Sequence, residues 1–175
     1  INQLINETSY RFKPAAESKN IQIRSLLPSQ EIFSLVDKEA LTKILSNLLT
    51  NALKYAKTEV CVQLENFVAE GFFQLTVSDD GPGVPKAFME KVFEPFYQVE
   101  GDVLEEKKTG TGIGLALSKQ LVERHQGSVF IKEDGCLSGA TLVVQIPLNL
   151  QNEKERPGNT DTEKTEEDRF VQENE

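Results

Sequence analysis

The sequence predicts an α/β (α+β) two-layer sandwich, in which one mixed, largely antiparallel sheet is covered on one face by about three helices. Three observations predict it. Two pairs of short alternating apolar runs, 60–68 with 72–79 and 128–133 with 140–147, are spaced as hairpins. Two longer runs, 38–56 and 113–126, repeat their apolar residues at helical spacing. A chain of 175 residues with 38% hydrophobic content can bury one core, so one domain with appendages is expected.

The elements follow in order. Ile1, Leu4, Ile5, Thr8 and Phe12 form one helical stripe, too short to hold a helix alone and read as the end of a longer one. Residues 21–27 and 32–36 read as extended segments. Asp37 is the expected N-cap of the helix 38–56, whose Leu41, Ile44, Leu45, Leu48, Leu49, Ala52 and Ala56 fill one broad core-facing arc. A turn at 69–71 joins the first two main strands, and a glycine- and proline-bearing loop closes the second. Residues 86–92 suggest a short helix, 97–112 a polar glycine-punctuated loop, and 113–126 a helix stopped by Gly127 before the last hairpin. Residues 151–175 contain two large apolar residues, Phe170 and Val171, and are expected to be a flexible acidic linker or tail.

The net charge of −9 argues against a nucleic-acid partner. About half of it lies in residues 151–175, so the folding part is only mildly acidic. No apolar run approaches the roughly 20 residues that cross a bilayer, and no signal-peptide pattern opens the chain. A cytoplasmic protein without direct membrane contact is expected. Cys61 and Cys136 are far apart in sequence and match neither a metal-ligand spacing nor a redox motif, so idle thiols are expected rather than a disulfide.

Three segments carry candidate chemistry. Asn47, Asn51 and Lys54 fall within roughly 60° of one another around the helix, so two amides and an ammonium project together. Such a group can complete a Mg²⁺ shell and neutralise phosphate, though an ordinary solvated helix face has the same composition. In "QLTVSDDGPGVP", the alternation of Phe73, Leu75 and Val77 places Asp79 on the buried side at the strand's end. A buried carboxylate wants a donor, which an adenine amine would supply, and Gly81 and Gly83 would let the base come close. A tight Gly-Pro-Gly turn capped by Asp79 is the plainer alternative. Finally, "KTGTGIGLAL" brings Gly110, Gly112 and Gly114 directly into a helix N-terminus, which suits a polyphosphate. It is neither a dinucleotide fingerprint, since a polar loop and not a strand precedes it, nor a Walker loop, since no Lys-Ser/Thr pair follows.

Taken in this order, "NLLTNALKYA" (47–56), "DDGPGV" (79–84) and "GTGIGLAL" (110–117) resemble the N, G1 and G2 boxes of the histidine-kinase branch of an ATPase superfamily. That superfamily is shared with DNA gyrase, a class of heat-shock chaperones and the MutL mismatch-repair proteins. "FEPFYQV" (93–99) is similar to the F box, and residues 135–148 look like the closing glycine-rich hairpin. The resemblance implies the Bergerat ATP-binding fold and a catalytic domain that binds Mg-ATP and passes the γ-phosphate to a histidine of a separate dimerisation domain. By position, it implies a nucleotide site of Asn47, Asn51, Lys54, Tyr55, Asp79, Gly81, Gly83, Val84, Phe96, Gly110, Thr111, Gly112, Ile113, Gly114, Leu115 and Thr141. Asn51 would be the metal ligand, Lys54 and Tyr55 would approach the phosphates, Asp79 would accept from the adenine amine, and Thr141 would hold a water nearby. Residues 97–112 would form a lid anchored by Phe93 and Phe96. The implied division is 1–18 as the end of a dimerisation helix and its junction, 19–150 as the ATP-binding domain and 151–175 as the tail. The implied partners are the dimerisation and phospho-acceptor domain of the same kinase and a response-regulator receiver domain. The whole protein would be a homodimer, with this part cytosolic beneath a membrane-anchored sensor.

The sole histidine, His125, stands before Gln126-Gly127 at a helix end, without the acidic neighbour of the family's acceptor, and is read as structural. Asn47 occupies the place of the glutamate that activates water in the superfamily's ATPases, and an amide is no general base. Slow hydrolysis is therefore expected. The alternatives are a self-sufficient ATPase of the same fold, a nucleotide-sensing module that transfers nothing, and a kinase acting on serine.

Overall fold

The computed structural model describes residues 1–98 and 111–148. Helix α1 (Asn2–Arg11) buries Ile5 and Thr8, with Ile1, Leu4 and Phe12 packed along the same stripe. A short α2 (Lys13–Glu17) begins with Pro14 in its first turn, where the missing N–H costs nothing, and leads into strand β1 (Gln22–Leu26). The long helix α3 (Lys38–Tyr55) starts at Asp37, whose Oδ1 accepts from the Glu39 and Ala40 N–H groups at 2.9 and 3.1 Å. Its eight buried residues include the whole expected arc from Leu41 to Ala52. Each large one contributes about 1.5–3 kcal/mol through burial, which outweighs α3's modest intrinsic propensity.

Strands β2 (Glu59–Phe67) and β3 (Phe72–Asp79) form the expected hairpin, in register Val62 to Val77. Past β3 the chain makes two single 3₁₀ turns, Lys86–Phe88 and Lys91–Phe93, where one short helix was expected. Pro85 sets the entry, and so short a stretch gains too few i→i+4 bonds to offset α-nucleation. Helix α4 (Gly114–Arg124), β4 (Ser128–Lys132) and β5 (Thr141–Pro147) complete the fold. At the end of α4, Gln126 takes the positive φ of 57°, while Gly127 is needed for close approach. A Cβ there would lie 2.2 Å from the Gln145 carbonyl oxygen of β5.

The sheet order is β1-β2-β3-β5-β4, with β1 parallel to β2 and the other pairs antiparallel. The sheet is therefore mixed and largely antiparallel, as expected. Helix α3 lies between α1 and α4 and packs on β2 and β3, placing the core between one sheet face and the helices. Among the described residues, no helix is long and apolar enough to cross a membrane.

One expected extended segment makes no ladder. Residues 32–36 do alternate, with Ile32 buried and Phe33 and Leu35 exposed, yet they pair with no described strand, and Ser34 Oγ merely donates to the Pro147 carbonyl at 3.3 Å. The Ile32 N–H is instead satisfied by Asn2 Oδ1 at 3.0 Å, and Asn2 Nδ2 donates to the Pro28 and Gln30 carbonyls. Side-chain amides of α1 thus replace a partner strand. Gly110 and residues 151–175 lie outside the described residues.

Candidate functional site

A cavity of about 550 Å³ lies between the inner sheet face, the C-terminal half of α3, the loop after β3 and the start of α4. That is a volume typical of small-molecule sites. Its deepest charged group is Asp79, which ends β3 with no exposed surface. Strand parity places it there, because Phe73, Leu75 and Val77 are equally buried on the same face. Its Oδ1 accepts from the Gly81 N–H at 2.8 Å and the Ala140 N–H at 3.2 Å. Its Oδ2 is buried with no hydrogen-bond partner among the described residues. Desolvation raises the Asp79 carboxyl above its ordinary range, assisted by the neighbouring Asp80 charge and only partly countered by the two N–H donors. A buried oxygen left in this state is an acceptor awaiting a donor.

The glycines beside it are required by closeness. A Cβ on Gly81 would sit 2.5 Å from the Tyr55 carbonyl oxygen and 2.7 Å from Asp79 Oδ1. Gly83 takes φ of 76°, a conformation that side chains resist. Asp80 then clamps the loop to the end of α3. Its carboxylate accepts from the Lys57 N–H at 2.7 Å, the Thr58 N–H at 2.9 Å and the Thr58 hydroxyl at 2.6 Å. Partial desolvation would push the Asp80 carboxyl up, but those donors outweigh it and hold the group well below the usual carboxylate range.

Along α3, the expected Asn47, Asn51, Lys54 and Tyr55 all line the cavity. Lys54 Nζ rests 4.9 Å from the centre of the Tyr55 ring, which holds the ammonium at the cavity wall. Asn47 is committed to structure: its Nδ2 donates to the Gly114 carbonyl at 3.0 Å and to Ser118 Oγ at 3.1 Å, tying α3 to the first turn of α4. Thr111, Gly112, Gly114 and Leu115 line the cavity next to Asn47 of α3, where the N–H groups and positive dipole end of α4 are oriented to favour an anion. Gly112 adopts φ of 68°, and a Cβ on it would come within 2.8 Å of the Phe96 backbone.

Three expected residues stand elsewhere. Thr141 is buried on the opposite sheet face, where its hydroxyl donates to Ser78 Oγ at 3.1 Å. Its neighbours Ala140 and Leu142 line the cavity instead, because successive strand residues alternate faces. Phe96 was expected to anchor the lid 97–112, most of which lies outside the described residues, and its ring is 73% exposed. Its backbone makes the tie, with φ of 66° and an N–H donated to the Gly112 carbonyl at 3.0 Å. Phe93, named as the other anchor, is buried. Ile113 points outward, while Gly83 and Val84 line the cavity. Sequence reasoning missed Ala140, Val92, Tyr97 and Ile131 as lining residues. The alternation of β4 was a usable signal for Ile131, whereas Tyr97 and Val92 come from irregular backbone that carries no period.

His125 is held between two elements. Its Nδ1 faces the Leu121 carbonyl at 2.7 Å, which makes Nδ1 the protonated nitrogen and Nε2 the acceptor of the Asp37 N–H at 3.2 Å. The ring therefore joins the end of α4 to the cap of α3. Among the described residues, no group of three or more His, Cys, Asp or Glu could hold a metal.

The mixed sheet, the unsatisfied acidic acceptor at the end of its central strand and the anion-oriented start of α4 fit a nucleotide-binding domain. Comparison with known proteins agrees. The chain belongs to the family described as "Histidine kinase-, DNA gyrase B-, and HSP90-like ATPase", whose model matches residues 36–150. The sensor histidine kinase WalK of Bacillus subtilis is 32% identical over 146 residues, covering 82% of this chain and 23% of WalK. Full-length ShkA, solved in complex with AMPPNP, superposes with a TM-score of 0.72 at 27% identity, over 85% of this chain and 30% of ShkA. The ThkA catalytic domain has a TM-score of 0.73 at 22% identity over 85% of this chain and 93% of its own, a likeness of fold. The chain thus spans about a quarter of the length of WalK.

Proposed function

We propose that this chain is the catalytic half of a sensor histidine kinase, which binds Mg-ATP and presents the γ-phosphate to a histidine on a dimerisation domain. The observation that carries this reading is the orphaned Asp79 Oδ2 at the base of a cavity whose far wall holds Asn51, Lys54 and the start of α4. An adenine amine donating to Oδ2 would relieve the cost of burying that carboxylate. The side chain of Asn51 can offer a carbonyl oxygen to Mg²⁺, an oxygen-seeking ion that supplies charge neutralisation of the phosphates when bound. Lys54 adds a positive charge on the same wall, and Gly112 and Gly114 leave room for phosphate oxygens to meet backbone N–H groups.

What this chain contributes to transfer is placement and electrostatics, as is usual for phosphoryl transfer. Asn47 cannot take a proton from water, and its amide is already spent on Gly114 and Ser118, so hydrolysis is disfavoured. The nucleophile would be an imidazole brought by the dimerisation domain, with a response-regulator receiver domain as the next acceptor. In this reading the whole protein is a homodimer and the domain works in the cytoplasm.

Incubation of the chain with γ-labelled ATP tests the reading. We expect ATP binding without self-labelling or rapid hydrolysis, and labelling of a kinase dimerisation domain added in trans. Acid-labile label on His125, abolished by His125→Gln, would overturn the assignment.

A further inference from the structure

The open face of the sheet, opposite the nucleotide cavity, carries a pair of thiols that the sequence separates and the fold brings together. Register sets one row across it: Arg24, Cys61, Ser78 and Thr141 are successive cross-strand neighbours of β1, β2, β3 and β5. Cys61, Ser78 and Thr141 are fully or nearly fully buried even though, among the described residues, the helices of the core lie on the other face. The cover is the segment linking β4 to β5. Gly135 is packed so tightly on the row that a Cβ there would overlap Thr141 Oγ1 at 1.9 Å and reach Ser78 Oγ at 3.0 Å. Cys136 follows it directly, exposed to solvent, which brings its thiol to the row that holds Cys61, and the two thiols act on one another electrostatically. Arg24, ion-paired to Glu59 at 2.8 Å, lies close enough to feel both sulfurs.

We infer that Cys61 and Cys136 are an oxidisable dithiol, a disulfide-forming site that locks the β4–β5 segment onto the sheet and so acts on the nucleotide cavity from behind. The roles follow from access. Cys61 has its thiol pushed up to about 12, first by burial and then by its contact with Cys136, so it is not the sulfur that meets an oxidant. Cys136 is. Its thiolate attacks a peroxide oxygen, the O–O bond breaks, and a sulfenic acid forms as hydroxide leaves. The Cys61 sulfur then attacks the Cys136 sulfur and the S–OH bond breaks. The departing hydroxide takes the Cys61 proton as water. One peroxide is reduced to two waters while two thiols become one disulfide.

The same segment ends in Gly139 and Ala140, whose N–H groups are donated to the Asp79 carbonyl at 2.8 Å and to Asp79 Oδ1 at 3.2 Å. Only Leu137 and Ser138 separate Cys136 from Gly139. Joining the two sulfurs by a bond of about 2 Å shifts that short link and loosens the two donors on Asp79.

The test uses the 175-residue chain, reduced and then treated with hydrogen peroxide at submicromolar protein concentration. Non-reducing peptide mapping should show a Cys61–Cys136 cross-linked peptide, lost in Cys61→Ser and in Cys136→Ser and reversed by dithiothreitol. Free Cys61 after complete oxidation, or disulfides only between copies through Cys136, overturns the site. Calorimetry should show ATP affinity falling at least threefold on oxidation, with no fall in Cys61→Ser. Unchanged or tighter affinity in a fully cross-linked sample overturns the coupling. The calorimetric arm rests on the ATP-binding reading, but the peptide map does not. Failure of reduced protein to bind ATP therefore strikes that reading and leaves the dithiol to be judged alone.

Discussion

Asp79 and Ala140 grip one another twice: the Asp79 N–H donates to the Ala140 carbonyl at 3.0 Å, and the Ala140 N–H donates to Asp79 Oδ1 at 3.2 Å. With the Gly81 N–H also on Oδ1, one carboxylate oxygen is held by the backbone and the other, Oδ2, has no partner among the described residues. This division of the carboxylate makes Asp79 a structural clamp and, in the proposed function, the acceptor for the adenine amine.

Asp79→Ala should weaken ATP binding by roughly ten- to a hundredfold, since a hydrogen bond to a charged group is worth about 1.5–3 kcal/mol. The variant should stay folded, because it removes a desolvated charge along with two hydrogen bonds. Calorimetry with a parallel melting curve decides, and undiminished affinity in a folded variant would remove the adenine assignment.

The pH dependence has a definite sign. Desolvation raises the folded-state carboxyl of Asp79, so its contribution to the stability of the empty fold is complete below the unfolded value of about 4 and is lost as pH rises through the folded value. An amine donor favours the ionised form. Binding should therefore release a proton near the raised value, and ATP affinity should fall as pH drops through it. Calorimetry in buffers of different ionisation enthalpy reads the proton directly, and Asp79→Asn should abolish the effect.

Asp80 is expected to behave oppositely. Its donors hold it below the usual range, so its stability contribution is present above about pH 4 and declines as pH falls toward the folded value. Asp80→Ala should cost about 1–2 kcal/mol at neutral pH, less than the bond count implies because the group is partly solvated. The difference in melting temperature from the parent chain should shrink as pH drops below 4.

Two glycines should separate in their response to alanine. Gly81→Ala overlaps the Tyr55 carbonyl and Asp79, and should cost about 1–3 kcal/mol together with ATP affinity. Gly114→Ala meets only Asn47 atoms at 3.7 Å or beyond and begins a helix, so its thermal stability should hold or rise. Equal destabilisation of the two would contradict the packing described.

Much of this architecture was legible where a single residue carries the signal. Asp37 announces its helix through cap chemistry, and the bounds of β3 match the run from Phe72 to Asp79 because alternation and burial coincide there. Asp79 was legible as a buried carboxylate by parity alone. The failures arise where placement depends on distant chain. Residues 32–36 carry strand alternation, but Asn2 of α1 takes the place of a neighbouring strand. Thr141 was assigned to the cavity by likeness of motif, whereas its pairing with Ser78 turns it to the other face. The nearness of Cys136 to Cys61 follows from insertion of β5 between β3 and β4, an order that no local pattern encodes.

That insertion also dictates when the site comes into being. As the chain leaves the ribosome, β2 and β3 can pair at once, but the other edge of β3 waits for β5, whose Thr141 meets Ser78 across 63 residues. At about 5–20 residues per second, the delay is roughly 3–13 s, a period in which β3 presents an open apolar edge and Asp79 lacks its Ala140 clamp. Pairing at such separation is slow by topology as well. ATP, however abundant in the surroundings, cannot template this fold from its early stages. Its pocket is assembled in the final closure, so nucleotide rewards completed molecules and leaves the nascent ones to protect their own edges.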